Sequence, residues 1–257
     1  MTIASSGKHE WWNELRHNGV LISSPVLSEY FDSLEKPNYV QNKILRDRYN
    51  SFDTWLKSTT RKDRGNDPLH KWCDAVLEGF LHYSSDQYLK GTNIPKELGV
   101  NSLTGDKLRP HRILFESRSK KTPRIAVWIE PPIAGKQDFR TLGTGKGRTS
   151  YSRLLEYLRG AGIKTGILTN GIQFRLVYAA PDHDSWAEWD IRSWFEDEDF
   201  KAQLHGFLTL LGKTGTESRN GWEFPLLEAI EASRSKQAEL ATVMGSQIRS
   251  AVELLID

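Results

Sequence analysis

The sequence predicts an α/β domain: a mixed sheet flanked by helices, preceded by N-terminal helices and followed by a C-terminal helical connector. Two observations in the stretch from Lys107 to Tyr178 carry that expectation. First, apolar strand-like runs, a helix and a hairpin follow one another there: HRILFES (111–117), RIAVWIE (124–130), YSRLLEYLRGAG (151–162) and KTGILTNGIQFRLVYA (164–179). Second, the same stretch holds fifteen Lys/Arg against four Asp/Glu, a local charge of +11 in a chain of net +2, so the remainder is acidic at −9. Charge segregated in this way marks a contact surface for an anionic partner.

The bulk numbers fit one large domain or one domain plus an appendage. The chain has 257 residues, 38% hydrophobic content and nine Trp, enough for a substantial core. A single cysteine, Cys73, forms no intrachain disulfide, which makes a reducing cytoplasm the expected compartment. No apolar run reaches membrane-spanning length, and the N-terminus lacks the apolar stretch of a signal peptide.

Three regions follow from composition: N-terminal helices over 1–66, the α/β core over 67–211, and a linker with a helical connector over 212–257. After a frayed start, HEWWNELRHNG (9–19) reads as a short helix ended by Gly19. VLISSPVLSEYF then passes from an extended piece through Pro25 into a second helix. Residues 39–56 carry apolar side chains at 39, 40, 44, 45, 49, 52, 55 and 56, the spacing of an amphipathic helix. The stretch 57–68 is polar and turn-rich, a loop. Asp67-Pro68 opens a core helix with Leu69, Trp72, Cys73, Val76, Leu77, Phe80 and Leu81 on one face. Residues 84–106 read as loop. The two central strands are joined by the basic turn SRSKKTP, and Pro131-Pro132 ends the second. GKQDFRTLGTGKGRTS (135–150) is a Gly-rich basic loop. Ser150 is the expected N-cap of the next helix, with Gly160 or Gly162 as its stop. Asn170-Gly171 marks a hairpin. The run 182–199 carries eight acids and one Arg, with Trp186, Trp189 and Trp194 among them. It reads as a solvated outer face with its tryptophans in the core, or as a docking surface for a basic partner. A closing helix ends near Gly212, and 212–221 reads as linker. From Pro225 onward the pattern is helical to the last residues with no stop signal, so the polypeptide is expected to continue in the natural protein.

The order helix, strand, strand, helix, strand resembles the restriction-endonuclease-like core. That core needs an acid at the end of one strand and an acid-x-Lys on the next, to hold Mg²⁺ and steady the developing charge. Here the corresponding places read Pro110-His111 and Glu130-Pro131-Pro132, with Lys136 six residues beyond Glu130. His111, Glu130 and Lys136 are thus the degenerate nuclease positions. A His with one Glu is a poor pair for Mg²⁺, which prefers oxygen ligands. If the site were active, Glu116, Glu130 and Asp138 would be the candidate metal ligands; Glu116 and Asp138 read first as ordinary surface acids. GTGKGR (143–148) lacks the spacing of a nucleotide-hydrolysing phosphate loop. A basic Gly loop ahead of a helix still suits a backbone phosphate, which makes Lys120, Lys121, Arg140, Lys146, Arg148, Arg153 and Arg159 the candidate nucleic-acid contacts. His9, His17, His70, His82, His183 and His205 show no metal-ligand spacing.

HNGVLISSPVLSEYF, LRPHRILFES, AVWIEPP, the 151–179 stretch, WAEWDIRSWFEDEDF and ASRSKQAELATVMGSQIRSAVELL together resemble the N-terminal region of restriction–modification-type DNA adenine methyltransferases. The likeness is closest to the methylase subunit of the DISARM phage-defence system and covers about two thirds of the chain, GILTNGIQFRLVYA being its most specific piece. The resemblance implies a cytoplasmic, DNA-associated, nuclease-like domain ahead of a methyltransferase domain. Its partners would be duplex DNA, gripped chiefly by phosphate contacts, and other defence-system subunits. The resemblance implies no cofactor within these residues. Mg²⁺ enters if the nuclease site is active, and S-adenosylmethionine belongs to the downstream domain. The chain contains neither an NPPY-type tetrapeptide nor a cofactor-binding Gly-rich turn of a methyltransferase. The readings that remain open are a non-catalytic DNA-associated domain, a Mg²⁺-dependent endonuclease using Glu130 and Lys136, and a protein-interaction module of a defence complex.

Overall fold

A computed structural model describes residues 9–58, 67–84, 87–116, 122–131, 149–196 and 201–256. In chain order the elements begin with α1 (Glu10–Asn13), β1 (Arg16–Asn18), α2 (Ser24–Tyr30), α3 (Tyr39–Lys57) and α4 (Asp67–Asp74), which continues as a π-helical turn over Ala75–Phe80. Next come β2 (Tyr88–Lys90), β3 (Val100–Asn101), β4 (Lys107–Leu108), β5 (Arg112–Phe115), β6 (Pro123–Ile129), α5 (Ser150–Ala161), β7 (Thr165–Thr169), β8 (Gln173–Ala179) and β9 (Asp184–Asp190). The chain closes with α6 (Ser193–Glu196), α7 (Lys201–Leu211), α8 (Lys213–Thr216) and α9 (Pro225–Ile256).

The sheet is mixed and seven-stranded, in the order β1-β9-β8-β7-β6-β5-β2. Only β6 and β7 run parallel, joined through α5; the other pairs are antiparallel. Its central strands are buried on both faces, which is why they are legible as near-continuous apolar runs. Ile125, Val127, Ile129, Ile167, Phe174, Leu176, Tyr178, Ala187 and Trp189 point into the larger core, under α1 to α4, α7 and the start of α9. Ala126, Trp128, Leu168, Val177 and Ala179 point the other way, against Leu154, Tyr157 and Leu158 of α5.

Local chemistry fixes the element ends. Asn38 and Gln41 form a reciprocal capping box at the start of α3: each side chain accepts from the other's backbone N–H, at 2.8 and 2.9 Å. Thr149, rather than Ser150, caps α5, its hydroxyl accepting from the Ser152 N–H at 3.1 Å. Ser150 is instead the first helical residue and is buried. Gly162 stops α5 in the left-handed conformation, φ 68°. The β7–β8 turn is held by Asn170, whose Oδ1 accepts from the N–H groups of Ile172 and Gln173. Trp72 clamps this turn by donating its indole N–H to the Gly171 carbonyl at 2.7 Å.

Gly171 sits at φ 85°, where an added Cβ would lie 2.6 Å from both Leu69 and Phe52. Those two side chains are fully buried and cannot withdraw. Gly171→Ala therefore combines a left-handed backbone with overpacking, and is expected to lower unfolding stability by about 2 kcal/mol. A shift of the urea midpoint at unchanged slope reads it out; an unaltered midpoint would show that the turn relaxes.

Five strands lie where the sequence pattern indicated none: β1, β2, β9, and β3 and β4, which pair as a separate two-stranded sheet. Residues 9–19 form not one helix but a single turn and then β1, which pairs with β9. The acidic run contributes β9 itself, and the expected loop 84–106 contributes β2, paired with β5. β1 and β2 are three-residue edge strands, too short to show a period of two, and their pairing comes from the neighbouring strand. The stretch 212–221, linker-like in composition, carries α8 and is packed: Gly215 and Thr216 are buried, and the Thr216 carbonyl accepts from Arg124 at 2.8 Å. Gly and Thr serve close packing there rather than flexibility. No described helix is long and apolar enough to cross a membrane.

Candidate nucleic-acid interface

The carboxyl end of β6 lies beside the amino end of β5, because the two strands are antiparallel with Arg112 opposite Val127. Glu130 follows β6 directly and is fixed by its N–H bond to the Thr169 carbonyl of β7, at 2.9 Å. His111 precedes β5 and donates its N–H to the Val127 carbonyl at 2.9 Å. His111 and Glu130 therefore meet, whereas Lys136 lies outside the described residues. They line a cavity of about 270 Å³ at this strand end, together with His70, Lys107, Arg109, Trp128 and Arg153.

The hydrogen bonds around His111 define its chemistry. Its Nδ1 lies 3.0 Å from the backbone N–H of Ile129 and accepts from it. Burial holds the imidazole neutral, with its pKa lowered to about 4; the neighbouring His70, Arg112 and Arg153 add to the effect. A neutral imidazole that accepts at Nδ1 carries its proton on Nε2. His111 thus presents an N–H donor and has no lone pair left for a metal. Glu130 is also engaged, accepting the Trp128 indole N–H at 2.8 Å, two residues back on the same strand face. Arg153, at the end of the first turn of α5, lies over the Trp128 ring at 5.3 Å. Arg109 donates to the Ile94 carbonyl from one terminal nitrogen, while its Nε has no hydrogen-bond partner among the described residues. Three cations and one neutral donor thus surround one bonded carboxylate.

The donor set does not suit Mg²⁺, which needs several oxygen ligands in near-octahedral array. Among the described residues no group of three His, Cys, Asp or Glu side chains converges. Glu116 does not join Glu130. Its N–H bonds the Thr122 carbonyl at the opposite end of β6, eight residues or roughly 26 Å away at about 3.3 Å per residue. Its carboxylate instead pairs with Arg124 at 2.9 Å. Arg159 is likewise remote from the cavity: in the last turn of α5 it bonds the Ala180 carbonyl and Asp184, so only Arg153 of the two α5 arginines faces the strand end. Lys120, Lys121, Lys136, Asp138, Arg140, Lys146 and Arg148 lie outside the described residues.

Sequence reasoning missed Lys107, Arg109 and His70 as members of this site. The first two belong to the +11 stretch, but nothing local separates them from its other bases. His70 comes from α4, thirty-seven residues before Lys107. Its ring centroid is 5.5 Å from that of His111, and its Nδ1 is buried without a partner among the described residues. Burial and Arg112 lower its pKa as well.

The neutral state of His111 has a pH consequence. The unfolded chain takes up this proton near pH 6.5, whereas the folded chain resists it to about pH 4. Between those values the unfolded state binds more protons, so stability falls as pH drops from 6.5 towards 4 and is unaffected by this group above 6.5. His17, His70 and His205, all lowered chiefly by burial, act in the same direction. His111→Gln is expected to flatten the acid limb of a urea-midpoint profile over that window, and the His111 ring resonance is expected to titrate near pH 4. A ring titrating at 6.5 would contradict the assigned tautomer and burial.

Comparison of the chain with protein-family models, curated proteins and solved structures found no match.

Proposed function

We propose that this chain is a DNA-associated, non-catalytic, nuclease-like domain of the kind that precedes the methyltransferase domain in anti-phage restriction–modification enzymes. The element order supports the reading: helix α4, the antiparallel strands β2, β5 and β6, helix α5, then β7 parallel to β6. This order resembles that of a restriction-endonuclease-like core. On this reading, the strand ends that would carry metal-binding acids and Lys in such a core correspond to the cavity with His111, Trp128 and Glu130.

The observation that carries the proposal is the reversed polarity of that cavity. His111 is a donor, Glu130 is occupied by Trp128, and Lys107, Arg109 and Arg153 add three positive charges. Such a set holds an anion where a nuclease holds a cation, and the anion that fits a nuclease-like surface is a backbone phosphate. Mg²⁺-dependent cleavage then lacks its ligands, and phosphate contact remains.

A gel shift with duplex DNA at low salt, run beside a plasmid incubation with Mg²⁺ or Mn²⁺, tests both halves. The expected result is salt-sensitive binding without cleavage. Absence of binding would remove the DNA-associated reading. Cleavage abolished by Glu130→Ala would replace it with the endonuclease reading.

A further inference from the structure

The other flank of the α5 amino end holds a second, larger cavity of about 560 Å³, bounded by Arg16 and Asn18 of β1, Tyr151 of α5, Arg175 of β8 and Trp186 of β9. It lies on the same sheet face as the first, since Trp128 and Trp186 both pack with the α5 cluster. The two cavities share the start of one helix: Arg153 lines the first, and Thr149 and Tyr151 line the second.

The floor of this basin is rigid. Arg175 and Glu188 face each other across β8 and β9, each side chain only 2% exposed. Glu188 Oε2 accepts from Arg175 Nε and terminal nitrogen at 2.8 and 2.5 Å, while Oε1 accepts from Arg16 at 2.9 Å and Gln173 at 3.0 Å. With four donors upon it, this carboxylate has no acceptor capacity left for a ligand. It serves to hold two guanidinium groups in place. The Arg175 guanidinium lies 3.9 Å from the Trp186 ring centroid and 5.6 Å from that of Tyr151. Asn18, paired opposite Trp186 in the β1–β9 ladder, is exposed, and its carboxamide has no protein partner among the described residues.

The half-buried rings of Tyr151 and Trp186, backed by the buried Arg175 guanidinium, and the exposed Asn18 amide form a surface for a planar, hydrogen-bonding ring. Aromatic stacking holds any nucleobase face, and a carboxamide matches donors and acceptors on a base edge. An isolated phosphate would make no use of the aromatic walls. A base inside a duplex cannot offer its face, because its neighbours are stacked upon it. We infer that the second cavity takes an unpaired nucleobase, from a single strand or flipped out of a duplex, on a chain whose phosphate sits in the first cavity. This inference rests on the proposed DNA association.

The test is photo-cross-linking of the intact chain to an oligonucleotide carrying 5-iodouracil, used single-stranded and as the fully paired duplex, with the adduct located by peptide mass spectrometry. Expected are adducts at Trp186 or Tyr151. A yield from the single strand well above that from the duplex identifies the single strand as the source, and equal yields identify a flipped base. In parallel, Asn18→Ala, at an exposed position, is expected to weaken single-strand binding about fivefold, the lower end of what one base contact contributes. A bound oligonucleotide with adducts only elsewhere, or none, overturns this inference and leaves the phosphate contact standing. Failure of either form to bind at low salt overturns both.

Discussion

Glu188→Ala is expected to be the most damaging single substitution described here, lowering unfolding stability by about 3–5 kcal/mol. The reason is the number of groups it orphans. Glu188 accepts from Arg175 twice and from Arg16 and Gln173 once each. Removing the carboxylate leaves the Arg175 charge, 2% exposed, without its counter-ion. Burial already disfavours that charge, lowering the Arg175 pKa from its usual value, and Glu188 is the largest opposing influence. Against a typical total stability of about 5–15 kcal/mol, such a loss takes a large share of the margin. The comparison that isolates the cause is Arg175→Met with Glu188→Leu. A buried ion pair replaced by packed apolar groups of similar size is often neutral, so the double variant is expected to be more stable than Glu188→Ala alone. Urea midpoints at constant slope measure both. Equal losses in the two proteins would show that backbone disruption at β8–β9, not an orphaned charge, sets the cost.

Joint removal of Lys107, Arg109 and Arg153, as Lys107→Gln, Arg109→Gln and Arg153→Gln, is expected to give the largest effect on binding. Each cation that neutralises a phosphate releases about 0.9 counter-ion, so the slope of log affinity against log salt should shrink by about 2.7, with roughly a hundredfold or greater loss of affinity at 0.1 M salt. The decisive control is Arg159→Gln. Arg159 is equally basic in sequence and lies on the same helix, but it is tied to Ala180 and Asp184 away from the cavity. Its loss should leave the slope unchanged. A triple variant with the wild-type slope would place the phosphate contacts elsewhere on the chain. Removal of Arg159 costing as much as removal of Arg153 would make the binding a diffuse property of the +11 stretch.

The contrast between those two arginines shows how far the sequence reaches. Both sit in YSRLLEYLRGAG, and the sequence treats them alike. That helix is legible because its apolar spacing and Gly162 are local signals, and β5 to β8 are legible because strands buried on both faces are predominantly apolar, with a few paired polar residues such as Arg175. The sequence also brings His111 and Glu130 to one place, since adjacent antiparallel strands put the start of one beside the end of the other. The edge strands β1 and β2 escape it, being three residues long with pairing supplied by a neighbour. Glu116 reads in the sequence first as an ordinary surface acid, and strand direction places it at the far end of β6, beside Arg124.

What the sequence alone determined, then, is an α/β chain with a basic central stretch and two strand ends that carry His111 and Glu130. What only the tertiary structure decided is the polarity of that strand end. The Ile129 N–H sets the tautomer of His111, the Trp128 indole engages Glu130, and three bases close around them. These contacts join residues brought together by strand pairing and by helix packing, and the direction of a hydrogen bond is a property of that geometry, not of the residue names.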